Sequence, residues 1–233
     1  MRQIVLDTET TGLDPATGHR IVELAGIELR NRRVTARDFH RYLNPGRSSD
    51  PGALEVHGLT EEFLRDQPVF RDVAADFLDF VADAELIIHN APFDVAFLDR
   101  ELGLLDLPPL STHVAVVVDT LRLARQFHPG KRNSLDALCE RYAVDHSART
   151  LHGALLDARL LADVYLAMTR GQDSLIMDLG DSRADAVLVS TEVGPLDLVV
   201  LPATEAEQTA HARYLDDLDK ASGNRCLWRQ SSG

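Results

Sequence analysis

The chain begins with a short apolar run, Ile4-Val5-Leu6, that ends directly in two acids spaced two residues apart, Asp7 and Glu9. An apolar run of this kind indicates a buried strand. Side chains at positions i and i+2 of a strand point to the same face, so the two carboxylates converge if the strand continues to Glu9. Because open α/β sheets bind ligands at the carboxyl ends of their strands, this pair predicts a polar site at a sheet edge.

Strand and helix patterns alternate through the first 170 residues. Residues 21–29 and 34–43 flank a polar turn, which indicates a hairpin, and the β-branched run 114–118 predicts a central strand. Three strands followed by alternating helices and strands predict an α/β fold with a mixed sheet flanked by helices. The other predicted elements are a helix start after Thr60, helices at 69–82, 93–102, 121–127, 134–142 and 153–168, a strand at 85–89 and a loop over 44–58.

Composition and charge exclude several classes of protein. With 45% hydrophobic and 26% charged residues and no long apolar run, the sequence predicts a globular protein without membrane contact. Strand residues follow Met1-Arg2 at once, and Cys139 and Cys226 are interpreted as free thiols, so we expect a cytoplasmic protein. The net charge of −13 excludes a protein that grips long nucleic acids through phosphate neutralisation, and predicts contact with a strand end only.

Two more acids and a histidine lie next to predicted strand or helix ends. Asp94 follows the strand 85–89 in the first turn of a helix, and His152 and Asp157 lie at the start of the helix 153–168. Clustered carboxylates raise one another's pKa unless a cation compensates, and hard oxygen ligands suit Mg²⁺ or Mn²⁺. If His152 precedes the first helical residue, it can move over the site as a general base.

Each of these residues also has a purely structural interpretation. A carboxylate such as Asp94 is favourable near a helix N-terminus by about 0.3–1 kcal/mol. Asp7 and Glu9 fit a strand end and turn, and His152 fits a residue that packs at a helix entry. Asp119 is interpreted as a helix cap rather than as a further site acid.

Three motifs in this order carry a family resemblance. DTETTG at 7–12, HNAPFD at 89–94 and HGALLD at 152–157 resemble the exonuclease motifs of the DEDDh group in the RNase H-like 3′–5′ exonuclease superfamily. One family in that group, the proofreading epsilon subunits of bacterial DNA polymerase III, is similar over nearly the whole chain. The further matches are VHGLT (56–60), FHPGKRNSLDALCERY (127–142), LHGALLDARLLADVYLAMT (151–169) and RCLWRQ (225–230).

The resemblance implies a fold, an activity and a catalytic set. The fold is RNase H-like, with an antiparallel meander followed by parallel strands, and the activity is removal of mispaired 3′-terminal nucleotides from DNA as 5′-mononucleotides. Two divalent metal ions, Mg²⁺ or Mn²⁺, are implied. The resemblance assigns the metal to Asp7, Glu9, Asp94 and Asp157, and the role of general base to His152.

A second set of residues surrounds the three motifs, and the resemblance assigns it to substrate binding. Residues beside the first motif are expected to position or wedge the terminal nucleotide, and Phe93 is a candidate stacking surface. Ordinary loop packing is the alternative for each of them. The set comprises Thr8, Thr10, Leu13, Val56, His57, His89, Asn90 and Phe93.

The residue pattern of the sequence changes after residue 170. Residues 1–170 are predicted to form the exonuclease domain, 171–203 a linker and 204–233 a polymerase-binding tail. The start of the linker resembles the short peptides by which replication proteins bind the sliding clamp, and an incidental apolar stretch is the alternative. The clamp-binding residues are predicted to be Gln172, Ser174, Leu175 and Met177.

The tail predicts a second docking element. Thr204 and Glu207 form a capping box that starts an amphipathic helix, and Leu227 and Trp228 follow it near the end. Since Trp is enriched among interface anchors, the resemblance implies that these two residues dock onto the polymerase alpha subunit. The predicted partners are therefore a DNA 3′ end, the alpha subunit, the sliding clamp and a small third core subunit.

Two other functions share these features. A stand-alone DEDDh ribonuclease that trims RNA 3′ ends has the same acids but no need of the long tether after residue 170. A mainly structural bridge between polymerase and clamp accounts for the tether but not for four acids with a histidine.

Overall fold

A computed structural model describes residues 2–147, 149, 151–170, 202–223 and 228. The chain divides into two units between residues 182 and 183. The predicted boundaries at 170 and 203 stay predictions.

Within the described residues, the first unit is built on a five-stranded mixed sheet with the order β3-β2-β1-β4-β5. Strand β1 pairs antiparallel with β2 and parallel with β4, while β2–β3 is antiparallel and β4–β5 parallel. The predicted mixed sheet is confirmed. The strands are β1 (Arg2–Thr10), β2 (Ile21–Arg30), β3 (Arg33–Tyr42), β4 (Glu85–Ile88) and β5 (Val116–Asp119).

Helices cover both faces of this sheet, and β1 shows why. Its side chains alternate, so that Ile4 and Leu6 pack in one apolar cluster with α3 and α4, while Val5 packs in the other with α6 and α7. Asp7 and Glu9 share the face of Val5 and therefore point toward the α7 side. The helices are α1 (Pro51–His57), α2 (Glu61–Arg65), α3 (Phe70–Val81), α4 (Ala91–Gly103), α5 (Thr120–Phe127), α6 (Leu135–Tyr142) and α7 (Ala154–Met168).

Two predictions about the elements were wrong, one about a loop and one about the position of a strand. Residues 44–58 were expected to be loop, but they contain α1. Its Pro51 is at the start and Gly58, with a φ of 69°, ends it, so residues that normally mark loops serve here as helix-terminal residues. Strand β5 was expected to be central but lies at the sheet edge, where Val116 is 49% exposed. A β-branched run indicates a strand, but it does not give the number of its neighbours.

The described part of the second unit is helix α8 (Glu205–Ala221) together with its flanking residues. The predicted capping box is confirmed, since Thr204 Oγ1 accepts the Glu207 N–H at 3.3 Å and Glu207 Oε2 accepts the Thr204 N–H at 2.8 Å. Trp228 is 75% exposed. The predicted clamp-binding residues 172–177 and Leu227 lie outside the described residues. Among the residues that are described, no helix has the length and apolar character needed to cross a membrane.

Candidate active site

The site lies where β1 continues past its parallel neighbour. Pairing with β4 ends at Val5 opposite Ile87, whereas β1 runs on to Thr10. Asn90, which follows β4, is the N-terminal cap of α4. It adopts the left-handed conformation (φ 66°), which Asn tolerates better than most residues. Asp94 in the first turn of α4 is buried, and Thr8 Oγ1 donates to its Oδ1 at 2.7 Å.

Helix α7 brings the third motif to the same place, beside the carboxyl end of β1. Gly153 provides no side-chain cap, and the Ala154 N–H is instead accepted by Glu23 Oε2 at 3.1 Å. Glu23 is buried on β2 directly opposite Glu9, and its Oε1 pairs with His40 Nε2 at 2.7 Å. This contact fixes the start of α7, with buried Asp157 in its first turn, against the sheet.

All five residues expected to form the catalytic set line one cavity of about 1060 Å³. A carboxylate oxygen of Glu9, a ring nitrogen of His152 and a carboxylate oxygen of Asp157 lie within 4.8 Å of one another. His152 precedes α7 and its side chain is 46% exposed, whereas Asp157 is buried. The geometry therefore places acids from β1, α4 and α7 beside one accessible imidazole.

Close packing of the acids changes their proton affinity. Burial, and then the charges of Asp94 and Glu9, raise the pKa of Asp7 well above its ordinary value of 3.8. Burial and the charge of Asp157 raise the pKa of Glu9 to about 8. Burial also raises the pKa of Asp94 to about 7, although the hydrogen bond from Thr8 opposes the shift. The site thus favours bound positive charge, and its hard oxygen donors fit a divalent ion such as Mg²⁺ or Mn²⁺.

One positively charged side chain of the protein, Arg149, already lies against these acids. The guanidinium of Arg149 pairs with both carboxylate oxygens of Asp157, each at 2.6 Å, and also contacts Asp136 on α6. Burial opposes its charged form, but the bonds to Asp157 and Asp136 raise the pKa of Arg149 above its usual range.

Sequence reasoning missed Arg149, Asp136 and Glu23. Glu23 follows from the antiparallel register with Glu9 once that register is known. No pattern in the sequence separated Arg149 or Asp136 from ordinary surface charges.

The predicted substrate residues divide between two adjoining cavities. Leu13, Val56 and His57 line a second cavity of about 490 Å³, and Thr10 lines it too while its hydroxyl donates to the Gly12 carbonyl. Leu13 is 85% exposed and His57 is buried. Residues that line both cavities, and so form the wall between them, are Thr8, Glu9 and Phe93.

His89 and Asn90 line the first cavity and also have structural bonds. His89 Nδ1 lies 2.9 Å from Thr120 Oγ1, and the Asn90 N–H donates to Asp119 Oδ1 at 3.1 Å. Asp119 also accepts the Leu121 N–H at the start of α5, which confirms its interpretation as a cap. The substrate roles of the whole set stay predictions.

Comparison with known proteins identifies relatives of this chain. The exonuclease family model RNase_T matches residues 4–165. The DNA polymerase III subunit epsilon of Haemophilus influenzae is 48% identical over 100% of this chain and 96% of its own length. The Escherichia coli protein of the same name is 49% identical over 98% of this chain and 97% of its own length.

A solved structure extends the comparison to the fold. The nuclease domain of 3′hExo, a DEDDh family member bound to rAMP, superposes with a TM-score of 0.62 at 18% identity. The match covers 73% of this chain and 92% of that domain. The RNase H-like fold of the DEDDh exonucleases is therefore confirmed. With its exonuclease match and its full-length relatives, this chain belongs to the DNA polymerase III epsilon subunit family.

Proposed function

We propose that this protein removes mispaired 3′-terminal nucleotides from DNA by metal-dependent hydrolysis, as the proofreading subunit of a bacterial replicative polymerase. Its membership of the family makes it a 3′–5′ proofreading exonuclease. The observation that supports the chemistry is the single cavity lined by Asp7, Glu9, Asp94, His152 and Asp157. These residues come from three separate motifs, and a common cavity gives all of them access to one phosphodiester.

The acids are proposed to hold two divalent ions, Mg²⁺ or Mn²⁺. When bound, such ions supply positive charge to the attacking and leaving oxygens of a phosphodiester. His152 takes the proton of the attacking water, since its ring is accessible and one ring nitrogen faces Glu9 and Asp157. Glu23 and Thr8 keep this geometry fixed, because one anchors the start of α7 and the other holds Asp94.

The second cavity is proposed to receive the terminal nucleoside. It opens beside Glu9 and is lined by apolar and small side chains, including Leu13 and Val56. Phe93 separates it from the acidic cavity and presents a ring on which a base can stack. Thr10, which lines this second cavity, is proposed to position the sugar, and His89 and Asn90, which line the acidic cavity, are proposed to position the phosphate.

The tether is proposed to supply the affinity that the acidic surface lacks. With a net charge of −13 the chain is expected to bind DNA weakly by itself and to depend on partners in the cytoplasm. Trp228, which is 75% exposed, and Leu227 are proposed to dock onto the polymerase alpha subunit. Residues 172–177 are proposed to bind the sliding clamp, and a small third subunit is proposed to complete the core.

The test uses a labelled primer with a mispaired 3′ terminus, on DNA and on RNA strands, with Mn²⁺ or with a chelator. We expect mononucleotide release from DNA that needs the metal and is lost in Asp7→Ala. Asp163→Ala, at an exposed position of α7, is the matched control and should keep wild-type activity. Retained activity in Asp7→Ala would contradict the assignment of the site, and a strong preference for RNA would contradict the assignment of the substrate.

A further inference from the structure

Arg149 holds the catalytic carboxylate on α7 with both arms of its guanidinium. Nε donates to Asp157 Oδ1 and Nη2 donates to Asp157 Oδ2, each at 2.6 Å. Its side chain is only 8% exposed, so water screens this pair little. A bidentate bond of this kind uses lone pairs on both oxygens of the carboxylate. Asp157 is therefore engaged on both of its ligand atoms.

The same guanidinium also engages His152. Nη2 of Arg149 donates to His152 Nδ1 at 2.7 Å, and this nitrogen lies 3.4 Å from Asp157 Oδ2. A guanidinium only donates, so Nδ1 must be the acceptor and the neutral ring carries its proton on Nε2. The lone pair that faces the acids is then unable to take a proton from water.

Asp136 gives the guanidinium a second place to bind. It lies on α6, contacts Nη1 of Arg149, and its side chain is 49% exposed. Arg149 can therefore let go of Asp157 and still keep a charged partner at the rim of the cavity.

From these contacts we propose that Arg149 is a positioning residue that closes the metal-free site by taking the place of the metal charge. It must release Asp157 and His152 before the acids take up a divalent ion and the imidazole becomes free to accept a proton. This inference rests on the proposed metal site. The proposed role and a purely supporting role predict opposite effects on metal affinity. A residue that only holds Asp157 in place strengthens metal binding, whereas a competing cation weakens it.

Direct metal titration separates the two roles without any assay of activity. Free Mn²⁺ is measured by electron paramagnetic resonance during titration of the full chain, without DNA. We expect Arg149→Gln to bind Mn²⁺ roughly tenfold more tightly than wild type. In the wild type the ion pair between Arg149 and Asp157 must first separate, and attraction between two unit charges at contact distance is worth about that much affinity even at the dielectric constant of water. Arg149→Lys keeps the charge but cannot form the bidentate bond, so its Mn²⁺ affinity should lie between those of wild type and Arg149→Gln.

Arg125→Gln is the matched control. Arg125 lines the same cavity but is exposed, so its loss removes a positive charge without freeing Asp157. Unchanged or weaker Mn²⁺ binding by Arg149→Gln, or equal tightening by Arg125→Gln, would overturn the proposal while leaving the metal site intact. Failure of both the wild-type chain and Arg149→Gln to bind Mn²⁺ would instead overturn the proposed function.

A measurement on the wild-type chain keeps the proposal testable if the variants do not fold. The Nε–H of Arg149 should exchange slowly with solvent in a chelator, since it is bonded to buried Asp157. Saturating Mg²⁺ should speed this exchange several-fold as the guanidinium leaves. An Nε–H that stays equally protected, while backbone amides of α7 respond to Mg²⁺, would show that Arg149 remains in place and would refute the displacement.

Discussion

Glu9→Gln should stabilise the metal-free protein at neutral pH. The pKa of Glu9 is raised from 4.5 to about 8 by burial and by the charge of Asp157, so the folded protein keeps this proton at pH 7 and the unfolded chain does not. Since pH 7 lies about 2.5 units above the unfolded pKa, holding the proton costs about 3 kcal/mol of folding free energy. Glutamine removes this cost, and the melting temperature should rise by about 6–12 °C.

The pH dependence of the unfolding free energy shows the direction of this effect. Between about pH 4.5 and 8 the unfolded chain binds fewer protons at Glu9 than the folded chain does, so the unfolding free energy of the wild type falls as pH rises. Glu9→Gln lacks this contribution, so the two proteins should converge near pH 4.5 and separate progressively up to pH 8.

The assay is thermal unfolding followed by circular dichroism, in a chelator and again in Mn²⁺. Saturating Mn²⁺ should shrink the difference, because the wild type gains more from a ligand that binds only the folded state. Glu140→Gln, at an exposed position of α6, is the control and should follow the wild type at every pH. Identical pH profiles of Glu9→Gln and wild type in chelator would refute the reasoning.

Three further substitutions test single contacts. Glu23→Ala leaves the Ala154 N–H without its acceptor, so it should lower kcat and should cost about 1–3 kcal/mol of folding free energy, seen as a lower melting temperature. Glu23→Gln keeps an acceptor and should retain most of the activity and stability; equal loss in the two variants would count against the anchoring role. Gly26→Ala places a Cβ 2.8 Å from Phe80 and 3.2 Å from Ile4 and should cost about 1–3 kcal/mol in denaturant titration, and an unchanged midpoint would show that the β2 face is not tightly packed. Leu13→Ala should raise KM for a primer terminus without moving the melting temperature, because Leu13 is 85% exposed; an unchanged KM would remove it from the substrate site.

The acids of the site were predictable because each lies in a regular element. The spacing of Asp7 and Glu9 on a strand fixes their common face, and the first turns of α4 and α7 place Asp94 and Asp157 near the sheet edge. His152 was predicted to precede its helix, and it does. Local periodicity was enough to place these residues in the fold, whereas their metal and base roles came from the family resemblance and stay predictions.

What was missed depends on contacts between elements. Glu23 matters because strand register puts it opposite Glu9 and because its carboxylate reaches α7, 131 residues further on. Arg149 lies outside any regular element, and its role comes from packing against Asp157 and Asp136. The edge position of β5 likewise depends on which strands pair, and an apolar run does not show this.

The most direct test is anomalous diffraction from crystals grown with Mn²⁺ and a mononucleotide. We expect two anomalous peaks about 3.5–4 Å apart in the cavity that Asp7, Glu9 and Asp157 line, with the base in the adjoining cavity beside Phe93. No Mn²⁺ in this cavity at saturating concentration, or a fully occupied ion bound only by other residues, would contradict the account.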